Sequence, residues 1–136
     1  MEKTSPKKII FIVEDNAVYA KMLEEFLKTK FPDVSEIKTF ATGEAGLMEL
    51  YQNPVIIIID HLLNSEQSDA ASGLSIIKQI KNTNIAANII LLSAQKEFDV
   101  VSKSISKYGC KYVQKDEQAF NKVEELIKSF FMNNQH

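Results

Sequence analysis

Short, unbroken apolar runs along this chain are separated by longer stretches in which apolar residues recur at helical spacing. The first run, Ile9-Ile10-Phe11-Ile12-Val13, follows the polar stretch MEKTSPKK. Asn16 then offers a side-chain oxygen to cap a helix that sets Val18, Met22, Leu23, Phe26 and Leu27 on one face. Phe31-Pro32-Asp33 breaks it, because proline lacks an amide donor and crowds the preceding turn. A short strand lies within Val34 to Phe40, where Ile37 alternates with Glu36 and Lys38. Thr42-Gly43 opens a second helix through Leu47, Leu50 and Tyr51, closed by Asn53-Pro54. Val55 to Ile59 is then entirely β-branched, and a run without alternation reads as a strand buried on both faces. It ends in Asp60. A polar loop leads to helix GLSIIKQIKN, strand NIILLS, helix EFDVVSKSISKYG, strand CKYVQ and a last helix from Asp116 to Phe131. Phe98, Val101, Ile105 and Tyr108 make the stripe of the fourth helix, and Phe120, Val123, Ile127 and Phe130 that of the fifth.

Strand and helix thus alternate through the whole chain, which predicts an α/β protein with a parallel sheet covered on both faces. Right-handed crossovers leave few topologies for such a (βα)5 chain. The flavodoxin-like doubly wound order 2-1-3-4-5 is the expected one. At 136 residues this is one domain, placed at 7–132, with a polar tail at 1–6 and a short tail at 133–136. The net charge of −2 gives no basis for nucleic acid or an anionic membrane as the main partner. Cys110 has no second cysteine to pair with, which fits a reducing cytoplasm and a small buried hydrophobe. KKIIFIVED has only Ile9 to Val13 as its apolar part, too short for a signal sequence or a membrane span.

The carboxyl ends of the strands carry the chemistry. The first ends in Glu14-Asp15, the third in Asp60 and the fourth in Ser93, and Lys115 follows the fifth. In a parallel sheet these ends share one rim, and the first and third strands are neighbours in the order above. Their carboxylates would crowd together and oppose each other's ionisation unless a cation is present. An all-oxygen cluster favours a hard ion such as Mg²⁺. A lysine ammonium and a serine hydroxyl beside it suit a phosphoryl oxygen, so the set describes phosphoryl transfer to a carboxylate. Each residue has a plainer reading too. Glu14-Asp15 can start a helix where acids suit the dipole, Tyr112 can be an ordinary strand aromatic, and Lys115 a solvated charge. His61 adjoins Asp60 but points to the opposite face, which makes it structural. Gly43 and Gly46 lack the Lys-Ser/Thr of a phosphate loop and belong to a helix start.

Over residues 7 to 131 the chain resembles the receiver domain of two-component response regulators. The resemblance rests on Glu14-Asp15, on Asp60 after PVIIII, on Ser93-Ala94 after IILL, and on Tyr112 with Lys115 in GCKYVQKD. It implies that Asp60 is the phosphoacceptor. It implies that Glu14, Asp15, Asp60 and the backbone carbonyl of Leu62 hold Mg²⁺, and that Ser93 and Lys115 contact the phosphoryl group. Ser93 and Tyr112 would form the switch, and Leu62 and Gln95 would flank the path of the water that removes the phosphoryl group. The implied partners are a sensor histidine kinase or phosphotransfer protein and a downstream protein target, with signalling by protein contacts. A phosphorylation-dependent homodimer could pair Lys103, Lys107 and Lys111 with Glu117, Glu124 and Glu125. The implied activity is self-phosphorylation and self-dephosphorylation rather than conventional enzyme turnover.

Two departures stand out. Asp116 follows Lys115 where receivers usually have proline, so a trans bond and a differently shaped turn are expected there. The loop after Asp60 is long, with Gly73 13 positions on and the usual proline replaced around Asn64. Two other function classes compete. An Asp-nucleophile phosphohydrolase of the haloacid-dehalogenase type wants a second acid two residues after the nucleophile, where this chain has Leu62. A degenerate flavodoxin-like interaction module would keep the fold without taking phosphate.

Overall fold

Strands with no polar face have to be covered twice. The computed structural model, which describes residues 7–61, 73–83, 85–94 and 105–133, does this with helices on both sides of one sheet. The strands are β1 (Ile9–Val13), β2 (Glu36–Phe40), β3 (Ile56–Asp60), β4 (Asn88–Ser93) and β5 (Lys111–Gln114). All pairs are parallel and the order is β2-β1-β3-β4-β5, the doubly wound order expected. The helices are α1 (Ala17–Lys30), α2 (Gly43–Met48), α3 (Gly73–Lys81) and α4 (Ala119–Asn133). The helix predicted over 97–109 lies largely outside the described residues, as do Phe98 and Val101 of its stripe; residues 105–106 are helical.

The pleat divides the core in two. Phe11, Val13, Ile57, Ile59, Ile89 and Leu91 pack with Ile76, Ile77 and Ile80 of α3. The alternate residues Ile10, Ile12, Ile56, Ile58, Ile90, Leu92 and Val113 pack under Leu23 and Leu27 of α1 and Val123 and Ile127 of α4. β1 and β3 are buried at every position, whereas β2, at the sheet edge, is only partly buried. That difference explains why β2 carries charges while β1 carries none and β3 only its last residue, Asp60.

Local chemistry moves several boundaries. In α1 the buried stripe is Ala20, Leu23 and Leu27, while Val18 and Met22 are 69% and 56% exposed, contrary to expectation. At about 100° per residue they fall on the far side of the helix from that stripe. The second helix stops at Glu49 and tightens into a 3-10 turn over Leu50–Gln52, ended by Asn53 at a φ of 56°. Leu50 is buried there and Tyr51 points to solvent. The last helix starts at Ala119 rather than Asp116, because Asp116 Oδ1 accepts the Gln118 N–H at 2.9 Å and builds a turn before it. Ile105, assigned to an apolar stripe, is exposed.

One contact ties α3 to the end of β3. The Gly73 N–H donates to the His61 carbonyl at 2.9 Å, and a Cβ at residue 73 would lie 2.7 Å from His61 Cα and 2.8 Å from the Asp60 carbonyl oxygen. Both obstacles are backbone and cannot swing away. Gly73→Ala is therefore expected to cost about 1–3 kcal/mol as an overpacking strain, read as a lower urea midpoint. An unchanged midpoint would contradict this close approach.

Candidate functional site

In-register pairing of β1 with β3 sets Val13 beside Ile59, so the residues that follow, Glu14 and Asp60, emerge side by side. Glu14, Asp15 and Asp60 each bring one carboxylate oxygen within 4.8 Å of the others. Glu14 and Asp60 are buried and Asp15 is exposed. Backbone bonds fix Glu14: its N–H donates to the Phe40 carbonyl at 2.9 Å, and its Oε2 accepts the Asn16 N–H at 3.0 Å. Asn16 in turn caps α1, its Oδ1 accepting the Tyr19 N–H at 3.0 Å as its sequence position predicts.

Lys115 reaches into this cluster from the end of β5. Its Nζ lies 2.6 Å from Glu14 Oε1 and 3.5 Å from Asp60 Oδ2, while its backbone N–H donates to the Ser93 carbonyl at 2.8 Å. No cis peptide occurs among the described residues, so Lys115 reaches the cluster from a trans bond to Asp116. Glu14, Asp60 and Lys115 continue the alternation of Ile12, Ile58 and Val113, on the α1 and α4 side of the sheet. Ser93 continues that of Leu91, on the α3 side, where Tyr112 also packs. Ser93 is buried, and the Tyr112 hydroxyl is buried with no hydrogen-bond partner among the described residues. Leu62 and Gln95 lie outside the described residues.

Tyr19 belongs to the site and was not foreseen. Its ring lies under the Lys115 ammonium, 4.4 Å from Nζ to the ring centre. Helical side chains lean toward their own N-terminus, so a residue three positions after the cap falls back over Glu14. That geometric signal was present in the sequence.

The electrostatics follow from burial. Removal from water pushes the Glu14 carboxyl up to about 7, against the lowering effect of Lys115 and the Asn16 amide, and Asp60 adds to the rise. Burial also lifts the Tyr19 phenol to about 12, with Glu14, Asp60 and Asp116 contributing. Glu14 and Asp60 both meet the Lys115 ammonium, Asp15 lies beside them, and the three donors are all oxygen, which fits a hard divalent cation. A cleft of about 310 Å³ opens beside Glu14 and Asp15, toward Thr39 and Ala41. A larger apolar groove of about 750 Å³ runs over Val18, Met22 and Phe26 on the outer face of α1, and none of Glu14, Asp15 and Asp60 lines it.

The family model for the response regulator receiver domain matches residues 10–128. The chain belongs to that family. Receiver domains are signalling modules rather than conventional enzymes, and this receiver has the flavodoxin-like sheet its sequence predicts. Response regulator Rcp1 from Synechocystis sp. is 27% identical over 141 residues, covering 96% of this chain and 93% of that protein. The BeF3-activated receiver domain of DrrB, a Thermotoga maritima protein, is 25% identical with a TM-score of 0.73, covering 93% of this receiver and 98% of that chain. The receiver domain of a DNA-binding response regulator from Colwellia psychrerythraea is 26% identical with a TM-score of 0.75, covering 93% and 99%. Among the described residues no helix is long and apolar enough to cross a membrane.

The Glu14 shift has a thermodynamic consequence. Unfolded, the carboxyl titrates near 4.5; folded, near 7. Between these values the folded chain keeps a proton that the unfolded chain has released, so stability falls as pH rises through the window. In metal-free protein, Glu14→Gln is expected to gain stability relative to the parent between pH 4.5 and pH 7. Parallel urea titrations across that range would contradict the assignment if the difference stayed constant.

Proposed function

We propose that this receiver takes a phosphoryl group on Asp60 from a sensor histidine kinase or a phosphotransfer protein, with Mg²⁺ as cofactor, and signals in the cytoplasm through protein contacts. The observation that carries the reading is the Lys115 ammonium set between Glu14 and Asp60 beside the exposed carboxylate of Asp15. An Asp60 carboxylate oxygen attacks phosphorus, the bond from phosphorus to the donor imidazole nitrogen breaks, and its electron pair stays with the imidazole. Lys115 places a positive charge beside the oxygen that gains the phosphoryl group, and Ser93 supplies a hydroxyl from the next strand. Glu14, Asp15, Asp60 and the Leu62 carbonyl would hold Mg²⁺, which neutralises charge on the phosphoryl oxygens.

On the far side of the sheet, the Tyr112 hydroxyl is buried with no hydrogen-bond partner among the described residues, and a buried hydroxyl left unmet favours a move that gives it one. Ser93 drawn toward a phosphoryl group frees the space into which Tyr112 turns. The surface so altered includes the exposed Lys107, Lys111, Glu117 and Glu125, a basis for charge-paired association with a target or a second copy. Glu124 is already engaged within α4 by Lys128 at 3.1 Å. Leu62 limits hydrolysis by bulk, and Gln95 can orient the attacking water.

The test is to incubate the protein with Mg²⁺ and acetyl phosphate and to seek a hydroxylamine-labile phosphoryl adduct by mass spectrometry. Wild type is expected to form it and Asp60→Asn to lose it. No adduct on wild type would leave a phosphate-independent module, and an undiminished one on Asp60→Asn would move the acceptor to another carboxylate. Decay of the same adduct is expected to speed up in Leu62→Asn. A half-life changed only by shortening the loop between Asn64 and Ser72 would assign the shielding to that loop. Backbone NMR shifts over 93–125 are expected to move with the adduct, and unmoved shifts would refute the coupling to Tyr112.

A further inference from the structure

Tyr19 closes a circuit around the candidate site. Its N–H donates to Asn16 Oδ1 at 3.0 Å, and the Asn16 N–H donates to Glu14 Oε2 at 3.0 Å. The other Glu14 oxygen meets Lys115 Nζ at 2.6 Å, and that Nζ stands 4.4 Å from the centre of the Tyr19 ring. The ring is also packed: Phe120 of α4 meets it edge to face at 5.4 Å, and Phe26 contacts Phe120 at 5.3 Å. The phenol oxygen is buried and makes no hydrogen bond among the described residues. The face of the ring therefore carries the interaction, and the hydroxyl does not.

We propose that Tyr19 is a positioning residue for the chemistry at Asp60, its ring a seat that keeps the Lys115 ammonium beside the acceptor carboxylate. The inference rests on the reading of Asp60 as phosphoacceptor. Lysine has a long flexible stem, and here its two partners are carboxyl groups that a divalent cation would share. An aromatic face attracts an ammonium through its quadrupole yet offers no oxygen to a hard metal ion. The seat thus persists when Glu14 and Asp60 turn to a cation. A leucine at residue 19 would fill similar space and give no such attraction.

Two readouts on the full chain test this. In NMR spectra taken without metal and with Mg²⁺, the Lys115 Cε protons are expected upfield of ordinary lysine values in wild type and Tyr19→Phe, and at ordinary values in Tyr19→Leu. In labelling by acetyl phosphate, Tyr19→Leu is expected to be slower by roughly three- to thirtyfold, the range of a cation–π contact, and Tyr19→Phe to restore the rate. In a Lys115→Met background, Tyr19→Leu is expected to add nothing. Unshifted Lys115 protons in wild type, an unslowed Tyr19→Leu, or an equal slowing in the Lys115→Met background would each overturn the seat. If Tyr19→Leu does not fold, pentafluorophenylalanine at residue 19 keeps the ring and reverses its face; a wild-type rate there would overturn the proposal. If wild type takes no phosphoryl group, the Asp60 reading falls and the Lys115 proton shifts alone decide the seat.

Discussion

A carboxylate withdrawn from water at the end of β1 is the constraint on which the site depends. Glu14 is buried, stands beside a second buried carboxylate in Asp60, and resists ionisation until about pH 7. An isolated buried charge is costly, and one kept in a native site has to be paired and hydrogen-bonded. Here the pairing draws Lys115 inward from β5 and the hydrogen bond engages the first amide of the α1 cap. Three elements thereby converge on one group. Lys115 is then already beside Asp60, where phosphoryl chemistry would need it.

The sheet supplies the other half of the arrangement. Alternation along the strands sends Glu14, Asp60 and Lys115 toward α1 and α4, and Ser93 and Tyr112 toward α3. Charge and switch candidates thus occupy opposite faces, joined by the Lys115 amide bonded to the Ser93 carbonyl. Gly73 brings the start of α3 against the backbone of Asp60 and His61, so the end of β3 is braced from the α3 side.

The fold was legible because β1, β3 and β4 are apolar at nearly every position and alternate with helices, a pattern that fits a doubly covered parallel sheet. The strand-end residues Glu14, Asp15, Asp60, Ser93 and Lys115 were legible for the same reason: parallel strands deliver their carboxyl ends to one rim. Helix faces were read less well. A broad apolar count included Val18 and Met22 with Leu23 and Leu27, although they lie across the helix from the buried stripe. Tyr19 escaped because it sits between those two faces and serves the site by leaning toward the helix start. Asp116, read as a missing proline and as the start of the last helix, builds the turn before α4 through its own side chain.

Burial raises the Glu14 carboxyl to about 7 even with Lys115 beside it, and a divalent cation sharing its oxygens should bring it down. Side-chain carboxyl NMR of Glu14, titrated without metal and again with saturating Mg²⁺, tests this most directly. The expected result is a midpoint of about 7 without metal and a midpoint well below that with Mg²⁺. A midpoint in the ordinary glutamate range without metal, unmoved by Mg²⁺, would contradict it.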